Sequence, residues 1–152
     1  MREYIGDYLN HTLFVCFGNN DTRMLIESMR ISHPKNQPLA KTWLPHFFDL
    51  MTFMSQFIRD DKNNTFSLIN FLKLYNIEPT GVSHNPLNDA KDLKNLYIKF
   101  LNDKETLLIE YRKLLLKMKL IPEPVKKLLF DIMDDKEINK DIFNQYLKDY
   151  LE

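Results

Sequence analysis

The segment that decides the fold is LFVCFGNND, residues 13–21. Its five apolar residues, stopped by Gly-Asn-Asn, predict a short buried strand of a parallel sheet. The turn predicts a helix that begins after Asn19, as its N-cap, and extends to about Arg30. Asp21 then lies in the first helical turn, at the sheet edge where ligands of α/β proteins bind. An acidic residue there also complements the helix dipole, so both interpretations stay open.

A second informative segment is GVSHNPLNDA, residues 81–90. Asn85 is a good N-cap, and Pro86 suits the first helical position, where a missing N–H costs nothing. His84 then precedes the cap and Asp89 is the fourth helical residue, two positions that commonly pack side by side. An imidazole beside a carboxylate suits a general base next to a metal-bound acid. The plain alternative is a turn histidine and a first-turn acid.

The remaining segments complete a mostly helical pattern. Residues 46–48 predict a second short strand, and Asp49 is the expected N-cap of the helix after it. Residues 32–45 contain three prolines and are predicted to form a loop. Further helices are predicted to begin near Thr65 and at Pro86. The side chains expected on the inner face of the first helix are Met24, Leu25 and Met29.

We therefore expect an α/β fold that is predominantly helical, with two short parallel strands. Residues 1–102 hold the strand-containing pattern and form one predicted domain, in which residues 1–9 have the pattern of a helix end. Residues 103–152 contain three amphipathic helical segments without a cluster of catalytic residue types. We expect them to form a helical C-terminal extension.

Composition limits the function classes. The 152 residues include 21 basic and 21 acidic side chains, so a nucleic-acid role needs a local basic face or bridging metal ions. The single cysteine, Cys16, excludes an intramolecular disulfide and is expected to be a buried structural thiol. The sequence has no signal-peptide pattern and no apolar run of about 18 residues. We expect a cytoplasmic protein with no membrane partner.

The order of these segments resembles the C-terminal two-thirds of the DEDDh family of 3′–5′ exonucleases. This family has an RNase H-like fold and includes proteins similar to RNase T and to the DNA polymerase III epsilon subunit. Phe-Gly-Asn-Asn-Asp21 matches the family's second motif. His84, four residues, Asp89 and Ala90 match its third motif. The branch with sporulation-inhibitor-type and histone-mRNA-type exonucleases looks most similar.

The resemblance implies a chemistry for these residues. In the family, four carboxylates hold two Mg²⁺ or Mn²⁺ ions, and a histidine deprotonates the attacking water. Asp21 and Asp89 would be metal ligands, and His84 would be the general base. The implied substrate is the 3′ end of single-stranded DNA or RNA. Asp49 matches a family aspartate that we interpret as a helix cap.

One departure from the family concerns its first motif, an Asp-x-Glu on the first strand, which has no counterpart before Asp21. Asp135-Lys136-Glu137 has the Asp-x-Glu sequence but lies in a polar connection between two predicted helices of the C-terminal extension. Two carboxylates are fewer ligands than a pair of Mg²⁺ ions needs. A sheet of two strands also has an edge without a neighbouring strand. A misassigned start, a decayed gene, or a homodimer or partner chain that covers the edge would each explain the shortened pattern.

Three hypotheses about function stay open, so the chain's status as an enzyme is undecided. The first is an exonuclease whose active form needs the missing strand. The second is a catalytically dead homologue that acts as a protein-interaction module through apolar residues of its tail. The third is a plain helical binding protein with an accidental resemblance. The tail residues of the second hypothesis are Leu128, Leu129, Ile132, Phe143, Tyr146 and Tyr150.

Overall fold

The computed structural model describes residues 11–32, 34, 37–82 and 84–152. The chain divides into two compact units, Met1–Leu107 and Leu108–Glu152. The helix end expected for residues 1–9 lies outside the described residues. The domain division expected after residue 102 stays a prediction.

Two short parallel strands form the sheet of the first unit. Strand β1, Phe14–Cys16, pairs with strand β2, Phe47–Asp49, so that Val15 lies opposite Phe48. The prediction of a mostly helical α/β chain with two parallel strands is therefore confirmed. Both strands come from runs of apolar residues stopped by polar ones, which is the pattern of a buried parallel strand.

Helix α1, Asn20–Ile31, follows β1 with Asn19 at its N-cap position, as expected, and two details differ from the expectation. The Asn19 side chain makes no capping hydrogen bond, and instead the Thr22 hydroxyl donates to the Asn19 carbonyl at 2.9 Å. No residue of α1 is buried, and the Met24 side chain is 61% exposed. Of the predicted inner-face residues, Leu25 and Met29 are half-buried and Met24 is exposed, so this face is only partly covered.

The prediction of a loop for residues 32–45 is also wrong. Helix α2, Gln37–Trp43, and a 3₁₀ turn, Leu44–His46, occupy much of this segment. Pro38 is the second residue of α2, and Pro45 is the second residue of the turn. Proline in the first turn loses no intrahelical hydrogen bond, so these prolines start helical structure instead of interrupting it.

The other helices of the first unit follow the predicted order. They are α3, Leu50–Met54, α4, Leu68–Leu74, and α5, Pro86–Asn102. Ser67, not Thr65, caps α4, because its hydroxyl accepts a hydrogen bond from the Asn70 N–H. Helix α6, Lys104–Lys117, begins in this unit and continues into the second.

The core of the first unit lies among α3, α4 and α5. Phe48 of β2 contacts Tyr97 of α5 with ring centroids 6.3 Å apart, and Phe53 meets Phe100 at 5.7 Å. These aromatic contacts attach the small sheet to the helical layer. The buried apolar side chains are Leu50, Met54, Ile58, Phe71, Leu72, Tyr75, Leu96, Phe100 and Leu107.

The second unit contains the pair of helices α7, Glu123–Met133, and α8, Lys140–Leu151. The Tyr146 hydroxyl of α8 donates a hydrogen bond to the Asp131 carboxylate of α7. The Lys136 ammonium group binds the other oxygen of Asp131 at 2.5 Å. One carboxylate on α7 therefore holds α8 and the connecting turn.

Candidate functional site

The turn after β1 is held by a carboxylate from β2. The Gly18 N–H donates to Asp49 Oδ1 at 2.8 Å, and Gly18 has φ +89°, a conformation that favours glycine. The same oxygen accepts from the Thr52 N–H at 3.1 Å, and Asp49 Oδ2 accepts from the Thr52 hydroxyl at 2.6 Å. Asp49 is therefore a helix cap, as expected, and both of its oxygens are occupied by protein groups.

Asp21 lies in the first turn of α1, directly after this turn, and is exposed. Its charge reaches the neighbouring Cys16 thiol, which is buried and donates to the Phe48 carbonyl at 3.6 Å. Burial raises the pKa of the Cys16 thiol to about 11, and the charges of Asp49 and Asp21 add to this effect. Asp21 and Asp49 thus place negative charge at the carboxyl end of β1.

The start of α5 has the expected geometry. Asn85 Oδ1 accepts hydrogen bonds from the Leu87 N–H at 3.0 Å and from the Asn88 N–H at 3.3 Å, and Pro86 is the first helical residue. The predicted cap is confirmed. His84 precedes it with φ +67°, a left-handed conformation that is uncommon for a residue with a side chain.

The His84 ring is exposed, and Asp89 is half-buried in the first turn of α5. Across the described parts of the chain, no hydrogen bond or ion pair joins these two side chains. The side-by-side contact suggested by their spacing is therefore not made through polar atoms. Ser83, which precedes His84, lies outside the described residues.

The carboxylate of Asp92, which was not predicted as a buried group, binds the loop that leads into α5. Asp92 is only 3% exposed and accepts a hydrogen bond from the Thr80 N–H at 2.9 Å. The Thr80 hydroxyl donates to the Asn88 carbonyl at 3.3 Å, which ties the preceding loop to the helix. The burial of Asp92 could have been predicted from its position, because it lies one helical turn before Leu96 on the buried face of α5.

The residues expected to bind metal do not fit the two-ion site. Within residues 11–32, 34, 37–82 and 84–152, no group of three His, Cys, Asp or Glu side chains could hold a metal ion. Asp21 and Asp89 lie on different helices, and both oxygens of Asp49 are hydrogen bonded. Mg²⁺ and Mn²⁺ need several converging oxygens, which these residues do not supply.

Neither Asp-x-Glu sequence of the chain supplies the missing pair. Asp135 follows α7 in a turn with φ +54°, so this motif lies on no strand. A second Asp-x-Glu sequence, not predicted as a site, begins at Asp103. Asp103 accepts hydrogen bonds from the Thr106 N–H and hydroxyl and pairs with Lys99 at 3.2 Å. Its carboxylate therefore caps α6.

An open groove of about 600 Å³ lies beside β1. Residues 13–16 form one wall, and Asp21, Met24, Leu25 and Ser28 of α1 form another. Trp43 and Phe47 complete the lining, and the Trp43 indole Nε1 is buried without a hydrogen-bond partner among the described residues. Among the described residues, the lining is mainly apolar and includes one carboxylate, Asp21.

Two further findings bear on function. Of the helices that the structure describes, none has the length and apolar character needed to span a bilayer. Comparisons with protein-family models, with curated proteins and with solved structures find no match to this chain.

Proposed function

We propose that this chain is a homologue of the DEDDh 3′–5′ exonucleases, with part of an RNase H-like fold, and that it does not hydrolyse nucleic acid by itself. The observation that carries the proposal is the start of α5. Asn85 and Pro86 begin the helix directly after His84, and Asp89 lies in its first turn. These residues match the third family motif, which is His, four residues, Asp and a small residue.

Asp21, which matches the second family motif, supports the same proposal. It lies in the first turn of a helix that follows a strand of a parallel sheet, which agrees with the order of the second family motif. The substrate class is the 3′ end of single-stranded DNA or RNA. Lys91 and Lys94 are exposed on α5, two and five residues after Asp89, and their charges suit contact with backbone phosphates.

The metal ligands that the described residues offer support the proposed inactivity of the chain by itself. The family chemistry requires two divalent ions, and the described residues offer no group of three suitable ligands. His84 is exposed and makes no hydrogen bond within the described chain. A base without metal-bound water beside it gives little hydrolysis of a phosphodiester.

A nuclease assay tests this proposal. A 5′-labelled single strand is incubated with the chain in Mn²⁺ or in EDTA, beside the His84→Ala variant. We expect no shortening by either protein, with circular dichroism confirming that both are folded. Mn²⁺-dependent shortening from the 3′ end that disappears in His84→Ala would contradict the proposal, because the site would then be complete.

A second candidate function is a protein-interaction module. The groove beside β1 favours this candidate, because its wall on α1 includes the exposed side chain of Met24. A homodimer or a partner chain would use the edge of β1 that no strand of the described residues pairs with.

A further inference from the structure

We propose that one exposed face in the second unit, at the end of α6 and in the turn after it, lies on the surface of a bilayer that contains anionic lipids. The inference goes beyond the proposed function, because it requires neither a metal ion nor nucleic acid. We call this surface the basic face. Its members are Leu108, Ile109, Arg112, Lys113, Lys119 and Leu120.

The inference departs from the expectation that the chain has no membrane partner. That expectation rested on the lack of an apolar segment long enough to span a bilayer. Binding at a bilayer surface requires no such segment, because apolar side chains enter only the boundary between headgroups and acyl chains, and basic side chains meet the anionic headgroups.

The first argument is the side of α6 on which these residues lie. Leu107 is buried, whereas the next two residues, Leu108 and Ile109, are 44% and 42% exposed. Arg112 and Lys113 are exposed one helical turn later. Because residues three and four apart lie on the same side of a helix, these four exposed side chains form one continuous strip.

The strip continues into the turn after α6. The Ile121 N–H donates a hydrogen bond to the Met118 carbonyl at 3.3 Å, which places Lys119 and Leu120 at the centre of a turn. Leu120 is 90% exposed. A leucine with this exposure gains free energy when a contact removes it from water, so the turn is suited to enter an apolar phase.

The charge of the segment determines which apolar phase it fits. Residues 108–120 contain four basic side chains and one acidic side chain, although the whole chain is balanced. The acid, Glu110, binds Lys113 at 2.6 Å, and the lysine side chain is still 59% exposed. In the part of the chain that the structure describes, Arg112 and Lys119 form no ion pair. Each such charge strengthens binding to an anionic lipid surface about fivefold.

The kind of apolar side chain favours lipid over nucleic acid. Proteins that bind single strands combine basic residues with aromatic rings on which the bases stack. The apolar members of the basic face are all aliphatic, namely Leu108, Ile109 and Leu120. Aliphatic side chains enter the acyl boundary, while arginine and lysine extend along their apolar stems to the lipid phosphates.

Co-sedimentation of the whole chain with lipid vesicles tests the inference. One set of vesicles is a mixture of phosphatidylcholine and phosphatidylserine, and the other is phosphatidylcholine alone. We expect binding to the anionic vesicles and about tenfold weaker binding, or less, to the neutral ones. Added salt should weaken the anionic binding, because it screens charges at an exposed surface.

Two charge variants locate the binding surface. Arg112→Gln combined with Lys119→Gln removes two charges of the basic face and should weaken binding to anionic vesicles about 25-fold. Lys140→Gln combined with Lys148→Gln makes the same change in net charge at exposed lysines of α8. This control should bind almost as tightly as the wild type.

Two leucine variants test the apolar contact. Leu120→Ser should weaken binding to anionic vesicles about tenfold, whereas Leu151→Ser, at a leucine that is 83% exposed in α8, should not. In Leu120→Cys, an environment-sensitive dye on the new thiol should shift its emission to the blue when anionic vesicles are added. The same dye in Leu151→Cys should not, and the buried Cys16 reacts slowly in both variants.

Three outcomes would overturn the inference. The first is no sedimentation with anionic vesicles when circular dichroism shows a folded chain. The second is vesicle binding that the charge and leucine variants of the basic face leave unchanged, because another surface would then make the contact. The third is tighter binding to a single-stranded oligonucleotide than to anionic vesicles, weakened in the charge variant but not in Leu120→Ser, which would make nucleic acid the ligand.

Discussion

Asp49 Oδ1 accepts a 2.8 Å hydrogen bond from the Gly18 N–H, so the last residue of β2 holds the turn that follows β1. The same carboxylate caps α3 through Thr52. One side chain therefore connects the sheet, the turn before Asp21 and the first helix of the core. The position of Asp21 depends on this connection.

Replacement of Asp49 should destabilise the first unit. Asp49→Ala removes a helix cap and leaves the Gly18 N–H without its acceptor, so we expect a loss of about 2 kcal/mol in the free energy of unfolding. Asp49→Asn keeps one acceptor oxygen and should cost less. Urea denaturation measures both, with Glu78→Ala at an exposed site as the control. Equal stability of Asp49→Ala and the wild type would contradict this role.

The Cys16 thiol should be unreactive in the folded chain. With a pKa of about 11 in place of 9.0, it forms about 100-fold less thiolate at pH 8, and burial also blocks access to it. Iodoacetamide labelling followed by mass spectrometry should therefore be slow in buffer and fast in urea. Rapid labelling of folded protein at pH 8 would show that the thiol is accessible.

The hydroxyl of Tyr75 should be dispensable for stability. It is buried without a hydrogen-bond partner in the described chain, so Tyr75→Phe should raise the free energy of unfolding by about 1 kcal/mol. Tyr150→Phe, at an exposed tyrosine, should change little. A clear loss of stability in Tyr75→Phe, measured by urea denaturation, would indicate a hydrogen bond to this hydroxyl.

The buried phenol of Tyr75 also predicts how the stability of the chain changes at alkaline pH. Burial raises the pKa of the Tyr75 phenol to about 12 from its ordinary 10.0, and the Asp103 charge adds to this. The folded state then keeps a proton that the unfolded state loses, so stability should fall as the pH rises from 10 towards 12. Tyr75→Phe should reduce this fall, which thermal denaturation at several pH values would measure.

The second unit should depend on the carboxylate of Asp131. Hydrogen bonds from Lys136 and then from Tyr146 hold the pKa of Asp131 below its ordinary value of 3.8. The stabilisation is present above pH 3.8 and is lost as the pH falls through the lower value of the folded state. Tyr146→Phe should speed amide hydrogen exchange in α8 at neutral pH, whereas Tyr150→Phe should not. Unchanged exchange in Tyr146→Phe would contradict the contact.

Local sequence patterns were sufficient for several elements. The strands around Val15 and Phe48 and the caps at Asp49 and Asn85 follow from apolar runs and from turn chemistry within a few residues. Such features depend on neighbouring residues alone, so a single sequence carries them.

Features that depend on distant contacts were missed. Helix α2 begins with a proline in its first turn, which resembles a loop signal when the packing is unknown. The exposure of Met24 depends on whether another element covers α1. The buried carboxylate of Asp92 accepts a hydrogen bond from the N–H of Thr80, which lies twelve positions earlier in the chain. For the candidate site, the register of α5 was predictable, and the spatial relation of its carboxylates to Asp21 was not.

Paramagnetic broadening by Mn²⁺ tests the central claim most directly, namely that the chain carries Asp21 and Asp89 of the exonuclease motifs without a complete metal site. In ¹⁵N–¹H spectra of the whole chain, we expect no common Mn²⁺ titration of the two amide signals. Asp21→Asn should leave the signal of Asp89 unchanged at every Mn²⁺ concentration. Broadening of both signals over the same concentration range, lost at Asp89 in Asp21→Asn, would contradict the account, because the two carboxylates would then share an ion.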